Sequence, residues 1–184
     1  LGQVPEWTAI NQNGEAVGSA TLSGTPYAVN FMFTSCPSSC PPLAKASHDL
    51  QTRIRRWSTS APHKAHIVTI TVDPETDTPE KLAKFGATYQ ADPALWEMAR
   101  LSSYTDMENL VTKGFYLPII RRDIENARND QERLELLKKP TPLDTAHGVD
   151  FMLVDSRGHI RGRYEKSADG LGRLNEALKH LAGL

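Results

Sequence analysis

Two nearly continuous apolar runs, at residues 27–33 and 65–72, dominate the hydrophobic pattern of the chain. Both are too short for a typical helix and are bounded by turn residues, a pattern that favours strands buried on both faces. A shorter run at residues 96–101 is ambiguous between strand and helix. The pattern therefore predicts central strands of a sheet that other elements cover.

Apolar residues at steps of three and four predict a helix after each of the two runs. Pro41 or Pro42 suits the first turn of the first helix, and Thr78 can cap the second. Two further helices are predicted at residues 106–115 and 171–181. The apolar face of the first helix consists of Leu43, Ala46, Leu50, Ile54 and Trp57.

The remaining segments complete an α/β pattern. Residues 7–10 are a strand candidate, and residues 151–164 predict a hairpin with its turn at 155–158. The order strand, helix, strand, helix, hairpin, helix predicts an α/β fold, with a central mixed sheet flanked by helices. We expect one domain over residues 1–184.

Residues 118–146 interrupt this pattern and are interpreted as an insertion. A charged helical stretch at residues 124–139 is ended by Pro140. The charged run from Arg121 to Lys139 predicts a solvated helix face rather than a docking surface for a partner.

Composition narrows the function classes. The 184 residues include 21 basic and 22 acidic side chains, so the chain lacks the basic field of a nucleic-acid-binding protein. No apolar run approaches the roughly 20 residues that a membrane span requires. Since the chain begins at Leu1 rather than Met, we expect that an upstream anchor or signal has been removed.

The two cysteines, Cys36 and Cys40, lie where the first buried strand gives way to a helix. A disulfide between them would close almost no loop, which favours a redox pair or metal ligands over a structural bond. A helix N-terminus favours the thiolate form of a nearby cysteine. If both cysteines lie in the first helical turn, positions i and i+4 share a face and both sulfurs point to one site.

Two thiolates are soft ligands that select Cu(I), zinc or iron–sulfur chemistry. Closed zinc sites have four protein ligands and iron–sulfur clusters normally have four cysteines, whereas this chain has two cysteines in all. A site of two thiolates and one imidazole is left, and it suits copper in either oxidation state.

Three ordered motifs resemble those of the Sco/SenC copper proteins of cytochrome oxidase assembly. Residues 30–41 are similar to the family's strand and CxxxCP signature, residues 72–80 to its second motif, and residues 147–155 to its third. Ser38 stands where the family often has an acidic residue, and the connection at residues 118–146 is longer than usual.

The resemblance implies a thioredoxin-like fold in which His147 is the remote copper ligand beside Cys36 and Cys40. It also implies an oxidising compartment, an N-terminal membrane tether, and delivery of copper or electrons to the binuclear copper site of cytochrome c oxidase. We accordingly expect a monomeric domain anchored to the inner membrane and facing the periplasm, with the mitochondrial intermembrane space as the alternative.

The other five histidines have simpler interpretations. His63 and His66 form an HxxH pair across a loop-to-strand boundary and are a weak metal candidate, because no third ligand is evident. Surface positions are expected for the other three, which are His48, His159 and His180. Asp73 either supports the metal site or forms an Asp-Pro turn.

Two other functions use the same cysteines. A thiol–disulfide oxidoreductase would use Cys36 and Cys40 as a catalytic redox pair without metal, although the usual motif separates its cysteines by two residues rather than three. A peroxidase of the peroxiredoxin kind is the least favoured, because its threonine lies three residues before the reactive cysteine and Thr34 lies two before Cys36. We expect a copper metallochaperone, which binds and transfers the metal, in preference to an enzyme, with thiol–disulfide reductase activity as the alternative.

Overall fold

The computed structural model describes residues 2–61, 63–142 and 145–184, and an eight-stranded sheet runs through them. The strands of this sheet, in spatial order, are β1 (Gly2–Gln3), β10 (His159–Tyr164), β9 (Phe151–Val154), β4 (Tyr27–Met32), β5 (His66–Thr71), β6 (Trp96–Arg100), β2 (Thr8–Asn11) and β3 (Ala16–Gly18). A separate two-stranded ladder joins β7 (Ile119–Ile120) to β8 (Ala146–His147).

Six α-helices and one π-helical turn accompany these strands within the described residues. They are α1 (Cys40–Ser58), α2 (Pro79–Thr88), α3 (Tyr104–Asn109), the π-helical turn (Leu110–Gly114), α4 (Arg122–Glu125), α5 (Asp130–Leu137) and α6 (Ala168–Leu181). Among the described residues, no helix combines the length and the apolar character needed to cross a bilayer.

The centre of the main sheet is mixed, as the sequence predicts. β4 and β6 both run parallel to β5, whereas β9 runs antiparallel to β4. All six residues of β4 are buried, which explains its nearly continuous apolar sequence. The ambiguous segment at residues 96–101 forms a strand because it pairs with the buried strand β5.

A chain of buried hydrogen bonds ties α1 to the sheet. The Asn30 amide donates to the Ser47 hydroxyl and accepts from the Thr69 hydroxyl, both at 2.8 Å, and the Trp96 indole donates to Thr69. Ser47 in turn donates to the carbonyl of Leu43. Because α1 begins at Cys40, this chain fixes the helix start relative to the strand that precedes it.

Three predicted helices differ from those observed, and the one expected at residues 171–181 differs only in beginning earlier, at Ala168. The helix expected at residues 106–115 begins earlier, at Tyr104, and continues as the π-helical turn. The helix expected at residues 124–139 is two helices, because the Asn129 side chain accepts a hydrogen bond from the Glu132 amide and starts a new helix there. Capping by asparagine therefore divides the charged stretch.

The insertion is only partly solvated. Helix α5 has no buried residue, as expected for a solvated face, but Arg121 and Ile124 are buried. The solvated-face prediction is therefore wrong for Arg121. At the end of the insertion, Thr141 is also buried, and its hydroxyl donates to the carbonyl of Val72. These contacts anchor the insertion to the core.

Candidate metal centre

The cysteines lie on either side of the boundary between a turn and α1. Cys36 is outside the helix, in a turn where its amide donates to the carbonyl of Phe33, whereas Cys40 is the first helical residue after the N-cap Ser39. The two cysteines therefore do not share the first helical turn. The turn after β4, rather than an i, i+4 face, brings the two sulfurs together. Both cysteines are buried free thiols.

His147 reaches the cysteines from strand β8. Its Nε2 atom lies 3.8 Å from Cys40 Sγ, although the two residues are 107 positions apart in the chain. The metal-ligating atoms of Cys36, Cys40 and His147 all lie within 4.8 Å of one another. The three residues selected from the sequence therefore meet at one point.

The orientation of the His147 ring suits it to bind a metal ion. Its Nδ1 lies 3.0 Å from the carbonyl of Gly148, so Nδ1–H donates there and the Nε2 lone pair faces the thiols. The ring also packs edge-on against Phe33, with centroids 5.8 Å apart. A hydrogen bond and an aromatic contact thus hold the imidazole in one orientation.

The two thiols differ in acidity. Burial raises the pKa of Cys36, but hydrogen bonds from the Cys40 and Ser39 side chains and from backbone amides outweigh burial, and the pKa lies below its ordinary value. Burial, together with the hydrogen bond to Cys36, places the pKa of Cys40 far above its ordinary value. Cys36 is therefore the more readily ionised thiol.

Burial also lowers the pKa of His147, despite the opposing effect of the Gly148 carbonyl. The ring is therefore neutral at neutral pH. A neutral imidazole is the form that binds metal ions.

Asp77 supports the turn that carries Cys36. Its buried carboxylate accepts hydrogen bonds from the Thr34 amide at 3.0 Å and from the hydroxyls of Thr34 and Thr71. Asp77 was not predicted as a site residue, although it lies within the motif at residues 72–80. The sequence carried no local signal for this contact, because Thr34 and Asp77 are 43 positions apart in the chain.

Asp73 holds the end of the insertion. Its Oδ1 atom accepts from the Thr141 amide at 2.8 Å, and burial raises the pKa of the carboxyl. Its backbone carbonyl accepts from Thr76 and Asp77, which closes the Asp-Pro turn. The turn prediction for Asp73 is therefore confirmed, and its side chain bonds to the insertion.

The remaining histidines lie elsewhere. His66 faces Glu97, with Nδ1 and Oε2 3.8 Å apart, and within the described ranges the only group of three potential metal ligands is Cys36, Cys40 and His147. His159 and His180 are exposed as expected, whereas His48 is half-buried and bonds to the carbonyl of Tyr89.

The chemistry of the site follows from its donor set. Two sulfurs and one imidazole nitrogen provide three soft or intermediate ligands, which can hold a copper ion and leave room for a further ligand. The same two thiols can form a disulfide by losing two electrons, which removes both sulfur ligands. The site can therefore bind a metal through both sulfurs or hold a disulfide, but not both at once.

Comparison with known proteins places the chain in a family. The SCO1/SenC family model matches residues 3–96, just over half of the chain. This chain belongs to the SCO1/SenC family. The matched segment includes both cysteines and ends before His147, so the place of His147 in the site is supported by its geometry.

A curated SCO1/SenC relative supports the same assignment. The chain is 31% identical over 113 residues to the SCO1 protein homolog of Bacillus subtilis, across 61% of this chain and 56% of that protein. The chain thus spans little more than half the length of that relative.

Solved structures of SCO1/SenC proteins share the fold. A family lipoprotein from Bacillus anthracis superposes with a TM-score of 0.79 at 22% identity, covering 98% of this chain and 95% of that chain. ScoI of Bradyrhizobium japonicum, which was solved with copper bound, gives a TM-score of 0.72 at 18% identity and covers 97% and 99% of the two chains. The similarity confirms the thioredoxin-like fold.

Proposed function

We propose that this chain is a copper metallochaperone that binds one copper ion through Cys36, Cys40 and His147. The observation that carries the proposal is the convergence of these three ligand atoms within 4.8 Å, from segments 107 residues apart. The three-residue group does not fit a closed structural zinc site, which takes four protein ligands. The copper-bound relative supports the choice of metal.

The proposed role is transfer rather than storage. The cysteines lie at the end of the main sheet, whereas His147 lies on a separate two-residue ladder, so different elements hold the sulfur and nitrogen ligands. The resemblance to the Sco/SenC family implies the binuclear copper site of cytochrome c oxidase as the recipient of copper or electrons. We propose that this chain delivers copper or electrons to that site.

We further propose that the domain is extracytoplasmic and tethered to a membrane, in the periplasm at the inner membrane. The similarity to a family lipoprotein supports this location. The expected partners of this domain in the periplasm are copper proteins. We expect the domain itself to be a monomer.

The second candidate function is thiol–disulfide oxidoreduction by Cys36 and Cys40. The observation that favours it is the difference between the two thiols, since a nucleophilic Cys36 beside a buried Cys40 is the usual arrangement of a redox pair. The two functions differ in their need for His147. Thiol exchange requires only the cysteines, whereas copper binding uses all three residues.

Copper titration of the reduced protein tests the proposal. We expect one copper per chain, loss of tight binding in Cys36→Ser and Cys40→Ser, and a loss in His147→Ala that is greater for Cu(II) than for Cu(I), because Cu(II) prefers nitrogen donors. The measurement is copper stoichiometry together with the sulfur-to-copper charge-transfer absorption.

His159→Ala is the matched control, because His159 is exposed on β10 and takes no part in the three-residue group. It should bind copper as the wild type does. Stoichiometric tight binding by either cysteine variant would contradict the proposal. If His147→Ala keeps a stable Cu(II) band like that of the wild type, His147 is not a ligand. The oxidoreductase function is favoured if the wild type binds no copper tightly and His147→Ala keeps the wild-type rate of thiol exchange.

A further inference from the structure

Arg121 is a buried charged residue at the end of β7, within the insertion. Its side chain is only 1% exposed. The guanidinium donates to both carboxylate oxygens of Asp123, at 3.1 and 2.6 Å, and to the carbonyl of Leu136 at 3.0 Å. It also lies over the Tyr104 ring, 4.7 Å from the ring centroid. One side chain thus joins α3, the start of α4 and the end of α5.

A buried arginine needs such partners, because an unpaired buried charge destabilises a fold strongly. The planar fork of the guanidinium also constrains geometry, since two parallel hydrogen bonds to a carboxylate fix its direction. The contacts of Arg121 therefore fix the backbone at residue 121 relative to α3 and α5. Ile120, the preceding residue in β7, is 41% exposed, so its burial holds the strand less firmly than the contacts of Arg121 do.

Strand β7 connects Arg121 to the candidate metal ligand. Ile119 pairs with His147, and Ile120 pairs with Ala146, in a ladder of only these two residue pairs. Such a short ladder is marginal by itself. Its ends are held by neighbours: Leu117 is buried and packs against Gly148 on one side, and Arg121 anchors the other. The position of His147 therefore depends on how firmly β7 is held.

We propose that Arg121 is a positioning residue for His147 and acts through the β7–β8 ladder. This inference rests on the proposed copper function, since it concerns the accuracy with which His147 meets the ion. Loss of the Arg121 contacts would loosen β7, and the imidazole would occupy a range of positions. Cu(II) binding, which relies on the nitrogen ligand, would weaken more than Cu(I) binding by the two thiolates.

The test compares Arg121→Gln with Arg122→Gln, a matched control at the exposed adjacent position. We expect Arg121→Gln to weaken Cu(II) binding by about tenfold or more, the usual effect of removing a group that orients a ligand. Its Cu(II) charge-transfer band and electron paramagnetic resonance spectrum should broaden, and its Cu(I) affinity should change by less. Arg122→Gln should match the wild type. An unchanged Cu(II) spectrum and affinity in folded Arg121→Gln would overturn the inference.

A double-mutant cycle shows whether the effect passes through His147. In a His147→Ala background, Arg121→Gln should cause no further loss of copper affinity, because the residue that it positions is already absent. An equal loss in both backgrounds would overturn the inference. If Arg121→Gln does not fold, Asp123→Asn provides a milder variant, because it weakens the same contact at a partly exposed partner. It should shift Cu(II) binding in the same direction, and wild-type behaviour would count against the inference.

A readout without metal separates this inference from the copper function. Hydrogen exchange at the amides of β7 and β8 should be faster in Arg121→Gln than in the wild type and in Arg122→Gln. If the wild-type protein binds no copper, the proposed function fails, while faster exchange would still support the anchoring role. Unchanged exchange would overturn the inference whatever the result with copper.

Discussion

At the scale of single residues, the site combines three side chains with different protonation states. The thiol of Cys40 holds its proton at neutral pH because its pKa is raised, first by burial. The imidazole of His147 is neutral because burial lowers its pKa from the ordinary 6.5. A metal ion must therefore displace a proton from Cys40, but none from His147, when it binds above pH 6.5.

This difference predicts how copper affinity depends on pH. Since the bound state holds fewer protons than the free protein, raising the pH favours binding, and the apparent Cu(I) affinity should rise at least about tenfold per unit between pH 6.5 and 8. The measurement is competition with a Cu(I) chelator of known pH dependence.

Two variants test which residue causes the rise of Cu(I) affinity with pH. Copper binding to Cys40→Ser should release about one proton fewer than binding to the wild type, because the displaced proton belongs to that thiol. The affinity of this variant should therefore rise less steeply with pH. His147→Ala should keep the wild-type slope above pH 6.5, since the ring is already neutral there. An affinity independent of pH in the wild type would contradict the assignment of the proton to Cys40.

The residues that form and support the site were only partly predictable from the sequence. Cys36 and Cys40 could be selected from spacing and position, because both lie within one local segment. His147 could be selected only through the family resemblance, since no local pattern distinguishes it from the other histidines. Asp77 and Arg121 were missed because their partners come from distant segments, and a sequence shows a charge but not the fold that buries it.

At the scale of elements, the hydrogen-bonded chain through Asn30 holds α1 against the sheet. Replacing Asn30 by Ala leaves the buried hydroxyls of Ser47 and Thr69 without this partner. We expect the free energy of unfolding to fall by about 2–4 kcal/mol. Denaturant unfolding of the reduced protein measures this change.

Asn109→Ala is the matched control for that experiment, because Asn109 is exposed on α3. It should alter the free energy of unfolding by less than about 0.5 kcal/mol. Equal effects of the two substitutions would show that the buried chain does not stabilise the contact between α1 and the sheet.

The central elements could be predicted because burial imposes a regular pattern on them. Strands β4 and β5 are nearly continuous apolar runs because both of their faces are buried, and the inner faces of α1 and α6 repeat apolar residues at steps of three and four. The π-helical turn after α3 and the break between α4 and α5 could not be predicted so well. Both depend on capping or on packing at single positions, such as Asn129. The residues around such a position are compatible with several backbone conformations.

At the scale of the whole molecule, the redox state of the cysteines should control metal binding. Oxidation to a Cys36–Cys40 disulfide consumes both sulfur ligands, so copper uptake should fall from about one ion per chain to none and return on reduction. Thiol counting and copper analysis of the same samples measure this change. Copper uptake by fully oxidised protein would contradict it.

Cys36→Ser is the matched control for oxidation. It cannot form the internal disulfide, so mild oxidant should leave its residual copper binding unchanged under conditions that prevent bonds between molecules. If the oxidant lowers copper binding equally in the wild type and in the variant, the loss has a cause other than the Cys36–Cys40 disulfide.

The uneven burial of the three ligands sets an order for the departure of a bound ion. Cys40 is 0% exposed and Cys36 8% exposed, while His147 is half-buried on its own short ladder. Under the proposed transfer function, an acceptor would therefore reach the site from the side of Cys36 and His147, and Cys40 would be the ligand that it reaches last.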